Sequence, residues 1–276
     1  MKKGQTKSYG ESLIPLILIV ILGLFIAAKF GYVDLSGVPF LGELFGTSFL
    51  KVIVVGHASP EMEALMKSED FALAGVTYAG DLPQQSVISA DVLKNFDIII
   101  VQGTRICDRP ARKALGDAVK SGKKMILIAD ACTAVSDDVN AGTWDLGIGS
   151  LGDVVPATYS GVLMHERTGS GWTNVNQGSF KIIAVDHPMF NGIFNHEFSG
   201  TVINVLPKAN SDVLAYIDQY AGSVTAPATF GIIESKGFMG GKTLYFAFDP
   251  STNVNTAMGS RNMFMNALLY LKGAKG

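Results

Sequence analysis

Three short apolar runs, Lys51–Gly56, Asp97–Val101 and Lys124–Ile128, constrain this chain more than anything else in it. They are near-continuous rather than alternating. A strand with one wet face alternates, so Val-Ile-Val-Val or Ile-Ile-Ile-Val reads as a strand covered on both faces. Helical stretches separate the runs. Pro60–Ser68 has Ser59 as its cap and Pro60 at its first position, and Arg109–Lys120 has Asp108 as its cap and Gly122 as a left-handed stop. A strand near Val76 and a short helix over Ala90–Asn95 complete the series. Strand, helix, strand, helix, strand predicts an α/β fold, a parallel sheet with right-handed crossovers between layers of helices.

Ligands of such sheets bind beyond the carboxyl ends of the strands. Those ends carry Gly56-His57-Ala58-Ser59, Gln102-Gly103-Thr104 and Asp130-Ala131-Cys132-Thr133, which makes His57, Gly103, Thr104 and Asp130 candidate ligand-binding residues. No G-x-G-x-x-G follows the first strand and no G-x-x-x-x-G-K-S/T occurs anywhere, so a nucleotide-binding fold gains little support. From Ala141 to Ser179 Gly, Ser, Thr and Asn dominate and both tryptophans occur. This reads as a surface elaboration with short strands inside one domain. Strands follow at Lys181–Val185, Val202–Val205, Val213–Ile217, Phe230–Ile233 and Thr243–Phe248, and a last helix spans Asn262–Leu271.

The amino-terminal region is different. Leu13–Ala28 is sixteen residues without a charge, and continuing to Val33 gives a length that spans a hydrocarbon core of about 30 Å if Lys29 snorkels to the interface. An uncleaved single-pass transmembrane anchor over 13–33 is the expectation; a cleaved signal peptide competes with it. Lys2, Lys3 and Lys7 precede the span and only Lys29 stands close behind it, so the tail 1–12 is expected in the cytoplasm and the domain 51–276 outside the cell membrane. The juxtamembrane segment 34–50 is apolar, with Phe40 and Phe45 and few charges, and is expected to face the membrane or a partner.

Composition removes whole classes. Hydrophobic residues make up 48% of the chain and charged residues 17%, which excludes a disordered polymer. A formal net charge of −2 disfavours a nucleic-acid partner, and the cluster Arg105, Arg109, Arg112 and Lys113 reads as a solvated helix face. Two cysteines and four histidines cannot build a four-cysteine zinc site. No metal and no cofactor is expected. His187, before a proline, reads as a structural turn residue.

Three segments resemble the class I glutamine amidotransferase-like proteins, the ThuA-like branch in particular. The strand Met125–Ile128 runs into Ala131-Cys132-Thr133 where that family has its nucleophile elbow. Asp186-His187-Pro188 with Gly192-Ile193 is similar to a segment of the branch. Gly241 to Ser251, followed by a helix with Asn262 and Asn266, resembles the family's last strand, turn and helix. The resemblance implies a flavodoxin-like parallel-sheet sandwich over Lys51–Lys272 and adds Asp249 and Ser251 to the ligand-binding candidates. It also implies that Cys132 stands at the nucleophile position. Yet the glutaminase pattern G-x-C-x-G is Asp130-Ala131-Cys132-Thr133-Ala134 here, and Asp249-Pro250-Ser251 replaces His-Pro-Glu, so the thiol lacks its base.

In that strand order Cys107 and Cys132 end neighbouring strands, and two readings stand side by side, a disulfide and a pair of free thiols. The function expected from the sequence is a membrane-anchored, extracytoplasmic, non-catalytic binding or assembly module with a protein partner or a second copy. The alternatives are a cysteine hydrolase or amidase using Cys132 with His57, and a domain sensing a small molecule or sugar at the strand edge.

Overall fold

The computed structural model describes residue 23 and residues 49–83, 88–137, 143–145, 151–159, 171–221, 224–237, 241–251 and 257–273. The chain divides into two compact units, Met1–Phe49 and Leu50–Gly276. The expected tail, the anchor and residues 34–48 of the juxtamembrane segment lie outside the described residues, except Gly23, which is helical. Among the described residues no helix is long and apolar enough to cross a membrane.

The second unit is built on a nine-stranded sheet. Its strands are β1 (Leu50–Gly56), β2 (Val76–Leu82), β3 (Ile98–Gln102), β4 (Lys124–Ile128), β6 (Trp172–Ile182), β7 (His196–Ile203), β9 (Ser211–Ala221), β10 (Val224–Ser235) and β11 (Lys242–Phe246). Two further short strands, β5 (Ala157–Tyr159) and β8 (Val205–Pro207), pair with each other. The helices are α1 (Pro60–Met66), α2 (Glu69–Leu73), α3 (Ala90–Leu93), α4 (Arg109–Lys120) and α5 (Ala257–Gly273).

The sheet order is β2-β1-β3-β4-β11-β10-β9-β6-β7. The first five strands are parallel and the last four are joined antiparallel. The parallel half has the flavodoxin-like order 2-1-3-4-5, with β11 in the fifth place after the whole β5–β10 excursion. The sheet is therefore mixed, not parallel throughout. The physical reason is in the later strands: only two residues separate β9 from β10, too few for the crossover that parallel pairing needs.

The three apolar runs occupy the centre, and their side chains alternate between two cores. Val52, Val54, Ile98, Ile100, Ile126 and Ile128 face the core covered by α1, α2 and α5. Ile53, Val55, Ile99, Val101, Met125 and Leu127 face the core covered by α3 and α4, with Trp144 and Tyr245. Burial on both faces explains why these strands carry no polar register.

Several local expectations are adjusted. The first helix is two short ones, broken at Lys67 and Ser68. Ser59 caps α1 by accepting from the Met62 N–H at 3.3 Å. Asp108 stands at the cap of α4, but its carboxylate accepts from Ser136 Oγ at 2.6 Å rather than from the helix. Arg112 is buried, not part of a solvated face, and donates to the Thr143 carbonyl at 2.9 Å. Of the strand expected at Lys181–Val185 only Lys181 and Ile182 are strand, the end of a longer one that begins at Trp172. His187 caps a short 3-10 turn, Pro188–Phe190, where its Nδ1 accepts from the Met189 N–H at 3.3 Å.

Candidate functional site

Because β2 and β3 lie on opposite sides of β1, the chain changes direction across the sheet between β1 and β3, and a crevice is expected outside their carboxyl ends. The two ends press on each other there. The His57 N–H donates to the Gln102 carbonyl at 3.0 Å. A side chain on Gly103, at φ +68°, would meet the His57 carbonyl oxygen at 2.1 Å, so glycine is required at this crossing.

Beside this crossing four side chains close a ring of hydrogen bonds. Gln102 Nε2 donates to Asp249 Oδ2 at 2.7 Å and to Ser59 Oγ at 3.2 Å. Ser251 Oγ donates to Asp249 Oδ1 at 2.6 Å, and the Ser251 N–H donates to the same oxygen at 2.8 Å. With the Ser251 proton committed to the carboxylate, the 3.0 Å contact between Ser59 Oγ and Ser251 Oγ must be donated by Ser59. The ring ties the β1–α1 loop, the end of β3 and the segment after β11. Gln102 is 4% exposed, and among the described residues its buried Oε1 has no partner. Next to the ring the Ala58 N–H donates to Asp81 Oδ2 at 3.1 Å, and the Tyr78 hydroxyl donates to Asp81 Oδ1. Burial and Asp81 push the Tyr78 hydroxyl well above its ordinary value, so it remains a donor.

The second feature of this edge is covalent. Cys107 and Cys132 form a disulfide, with their α-carbons 4.9 Å apart, inside the range that such bonds require. Backbone bonds join the same two loops: Cys132 N–H to the Thr104 carbonyl at 2.8 Å, Ala134 N–H to Arg105 at 2.9 Å and Cys107 N–H to Ala134 at 3.0 Å. Both cysteines are buried. The reading of two free thiols is thus corrected. A sulfur in a disulfide has no thiolate to offer. The turn itself is sharp without glycines, because Ala129 and Cys132 take positive φ, 56° and 55°.

Of the candidates, His57 and Gly103 meet through their backbones, and Asp249 and Ser251 meet in the ring. His57 keeps an exposed side chain. Thr104 is buried and turns its hydroxyl to the Ile106 carbonyl at 2.8 Å. Asp130 belongs to a different neighbourhood, with Arg105, Tyr159 and Tyr245. Ser59 and Gln102 complete the ring although neither stands among the sequence-derived ligand candidates. Both lie in strand ends that the parallel-sheet rule marks, which is the signal that points to them.

Burial holds the Asp130 carboxyl above its ordinary value, against the opposing pull of Arg105 and of a backbone hydrogen bond. A carboxyl raised by folding binds its proton more tightly in the folded chain. It therefore costs stability at neutral pH, and that cost fades as pH falls toward the unfolded value near 4. Asp130→Asn is expected to raise the urea midpoint at pH 7 and to lose this advantage toward pH 4. A midpoint lowered at pH 7 would mean that the attraction to Arg105 outweighs burial.

Fold and site define an α/β protein with a flavodoxin-like parallel half. No protein-family model and no curated protein matches the chain. Among solved structures it is similar to the cytoplasmic protein STM3548 of Salmonella typhimurium, at 16% identity and TM-score 0.57, over 80% of this chain and 98% of that one. It is also similar to part of a β-galactosidase from Rahnella sp. R3, at 10% identity and TM-score 0.55, over 84% of this chain and 34% of that one. A ThuA-like protein from Bacteroides uniformis aligns at 11% identity and TM-score 0.49, over 82% and 91% of the two chains. At these identities the first two likenesses speak for the fold alone.

Proposed function

We propose that this chain is a non-catalytic member of the amidotransferase-like α/β group, ThuA-like in its branch. In this reading it is carried outside the cytoplasm by an uncleaved anchor over 13–33 and works as a binding or assembly module for a protein partner or a second copy. The observation that supports it best is the disulfide between Cys107 and Cys132. It occupies the sulfur that a glutaminase would use, and buried disulfides of this kind persist in oxidising compartments. The ring at Asp249 and Ser251 adds to this, because the groups that replace the missing base and its orienter are engaged, Asp249 with Gln102 and Ser251 with Ser59. The lysine asymmetry around the apolar stretch supplies the orientation.

The test is ammonia release from glutamine by the purified full chain, with and without a reductant. No turnover is expected in either state. Turnover that vanishes in Cys132→Ser would replace this reading by the cysteine hydrolase. The small-molecule or sugar reading draws on one observation, the buried Gln102 Oε1, which has no partner among the described residues and is an acceptor suited to a ligand hydroxyl or amide N–H.

A further inference from the structure

The face of the sheet beneath α4 carries a group of polar side chains that the ring at Gln102 does not involve. Trp144 organises it. Its buried indole packs edge-on against Tyr159 at 6.0 Å and against Tyr245 at 5.3 Å, and its Nε1 donates to the Ala131 carbonyl at 2.8 Å. One indole thus gathers the last residue of β5, the end of β11 and the turn after β4 that holds Asp130. The loop with Arg105 is fastened to the same turn by the Cys107–Cys132 disulfide and by the bond from the Ala134 N–H to the Arg105 carbonyl at 2.9 Å. Tyr159 and Tyr245 belong to the core under α3 and α4, whereas Ser59 caps α1 on the other side of the sheet, so this place is distinct from the ring.

Four polar groups meet here, and among the described residues none hydrogen-bonds another. Tyr245 is 0% exposed and its hydroxyl has no partner. The hydroxyl of Tyr159, a residue 8% exposed, makes no hydrogen bond to a described residue either. The Asp130 carboxylate is half-buried and accepts only from its own backbone N–H. Arg105 is exposed and has no carboxylate within ion-pair distance among the described residues. Asp130 and Arg105 are the electrostatic neighbours of Tyr159, and Asp130 and Tyr159 those of Tyr245. A fully buried hydroxyl left unbonded costs free energy, and its usual explanation is a group that the protein itself does not supply.

The donors and acceptors set the class of that group. Burial first, and the charge of Asp130 second, push both phenols above their ordinary value, so Tyr159 and Tyr245 donate. Arg105 donates as well, and the Asp130 carboxylate accepts. An anion would face that carboxylate, and a cation would face Arg105 and the phenol protons. A primary amide presents one carbonyl with two lone pairs, fewer than the three donors need. A vicinal diol has four lone pairs and two protons, enough to accept from all three donors and to donate to Asp130. We infer that Tyr245, Tyr159, Asp130 and Arg105 form a binding site for a neutral polyol, with two adjacent hydroxyls of a sugar as the group they hold. The site goes beyond the module proposed above and needs neither its anchor nor its protein partner.

Saturation-transfer NMR on the purified full chain tests the site with D-glucose, D-galactose, D-mannose and L-glutamine, each at about 20 mM, which fills even a millimolar site. At least one hexose is expected to receive saturation, and glutamine none. Tyr245→Phe removes a hydroxyl that no described residue uses, so its urea midpoint should not fall, while its affinity for the hexose should drop about tenfold. Asp130→Asn, expected above to be the more stable protein at pH 7, should weaken binding as well, which separates the loss from any failure to fold. Transfer to no hexose leaves the four groups to solvent and overturns the site. Binding unchanged in both variants, or lost in Ser251→Ala instead, places the sugar elsewhere and overturns it too. Transfer to glutamine alone makes the ligand an amide and overturns the polyol.

Discussion

Trp144→Ala is expected to destabilise the domain by about 3–5 kcal/mol, the usual cost of emptying a large aromatic site in a core. The indole is fully buried and packs edge-on to Tyr245 at 5.3 Å and Tyr159 at 6.0 Å between ring centres. Its Nε1 donates to the Ala131 carbonyl at 2.8 Å, the residue before Cys132. Truncation therefore removes packing and also leaves a buried carbonyl without its donor. Urea unfolding reads the effect directly. A loss below about 1 kcal/mol would show that the site collapses around the smaller residue, and that Trp144 is not what holds the Ala131–Cys132 turn.

Replacing both cysteines, Cys107→Ala with Cys132→Ala, is expected to cost about 3.5 kcal/mol on the chain-entropy argument for a bond of this span. The separation of Cys107 and Cys132 is 25 residues, so the bond removes substantial freedom from the unfolded chain. Reducing the native protein should lower its unfolding midpoint by the same amount and leave the double variant unchanged. If the reductant shifts both proteins equally, the bond is not the element that stabilises them. The seam of backbone bonds between the Thr104–Cys107 and Cys132–Ala134 loops would then be the whole of the attachment.

The parallel half of this fold is written openly in the sequence because its strands are buried on both faces. Val52 to Val55, Ile98 to Val101 and Met125 to Ile128 have no polar residue to accommodate, and the helices between them carry ordinary start and stop residues. The antiparallel half is less legible. Strand β6 reads Trp-Thr-Asn-Val-Asn-Gln-Gly-Ser-Phe, with one exposed face, and a register shift between Val175 and Gly178 breaks its alternation. Its first part therefore looks like loop.

The site divides in the same way. Gly103, Asp249 and Ser251 can be marked from strand ends and motif resemblance, but the bond between Gln102 and Asp249 joins residues 147 apart in the chain. Local pattern carries no signal for such a pairing. The cysteine pairing is illegible in the sequence for a similar reason, since only the placement of the loops after β3 and β4 sets the 4.9 Å α-carbon separation.

Whether these two sulfurs are bonded in the cell decides between a disabled nucleophile and a working thiol. Cells producing the full chain are quenched with acid, and free thiols are blocked with an alkylating reagent under denaturing conditions before any reductant is added. The mass of the intact chain is then measured before and after reduction and a second alkylation. The account predicts no adduct in the first step and two in the second, one for each cysteine of the chain. Two adducts in the first step would mean that Cys107 and Cys132 are thiols where the protein works, and would contradict both the oxidising location and the disabled nucleophile.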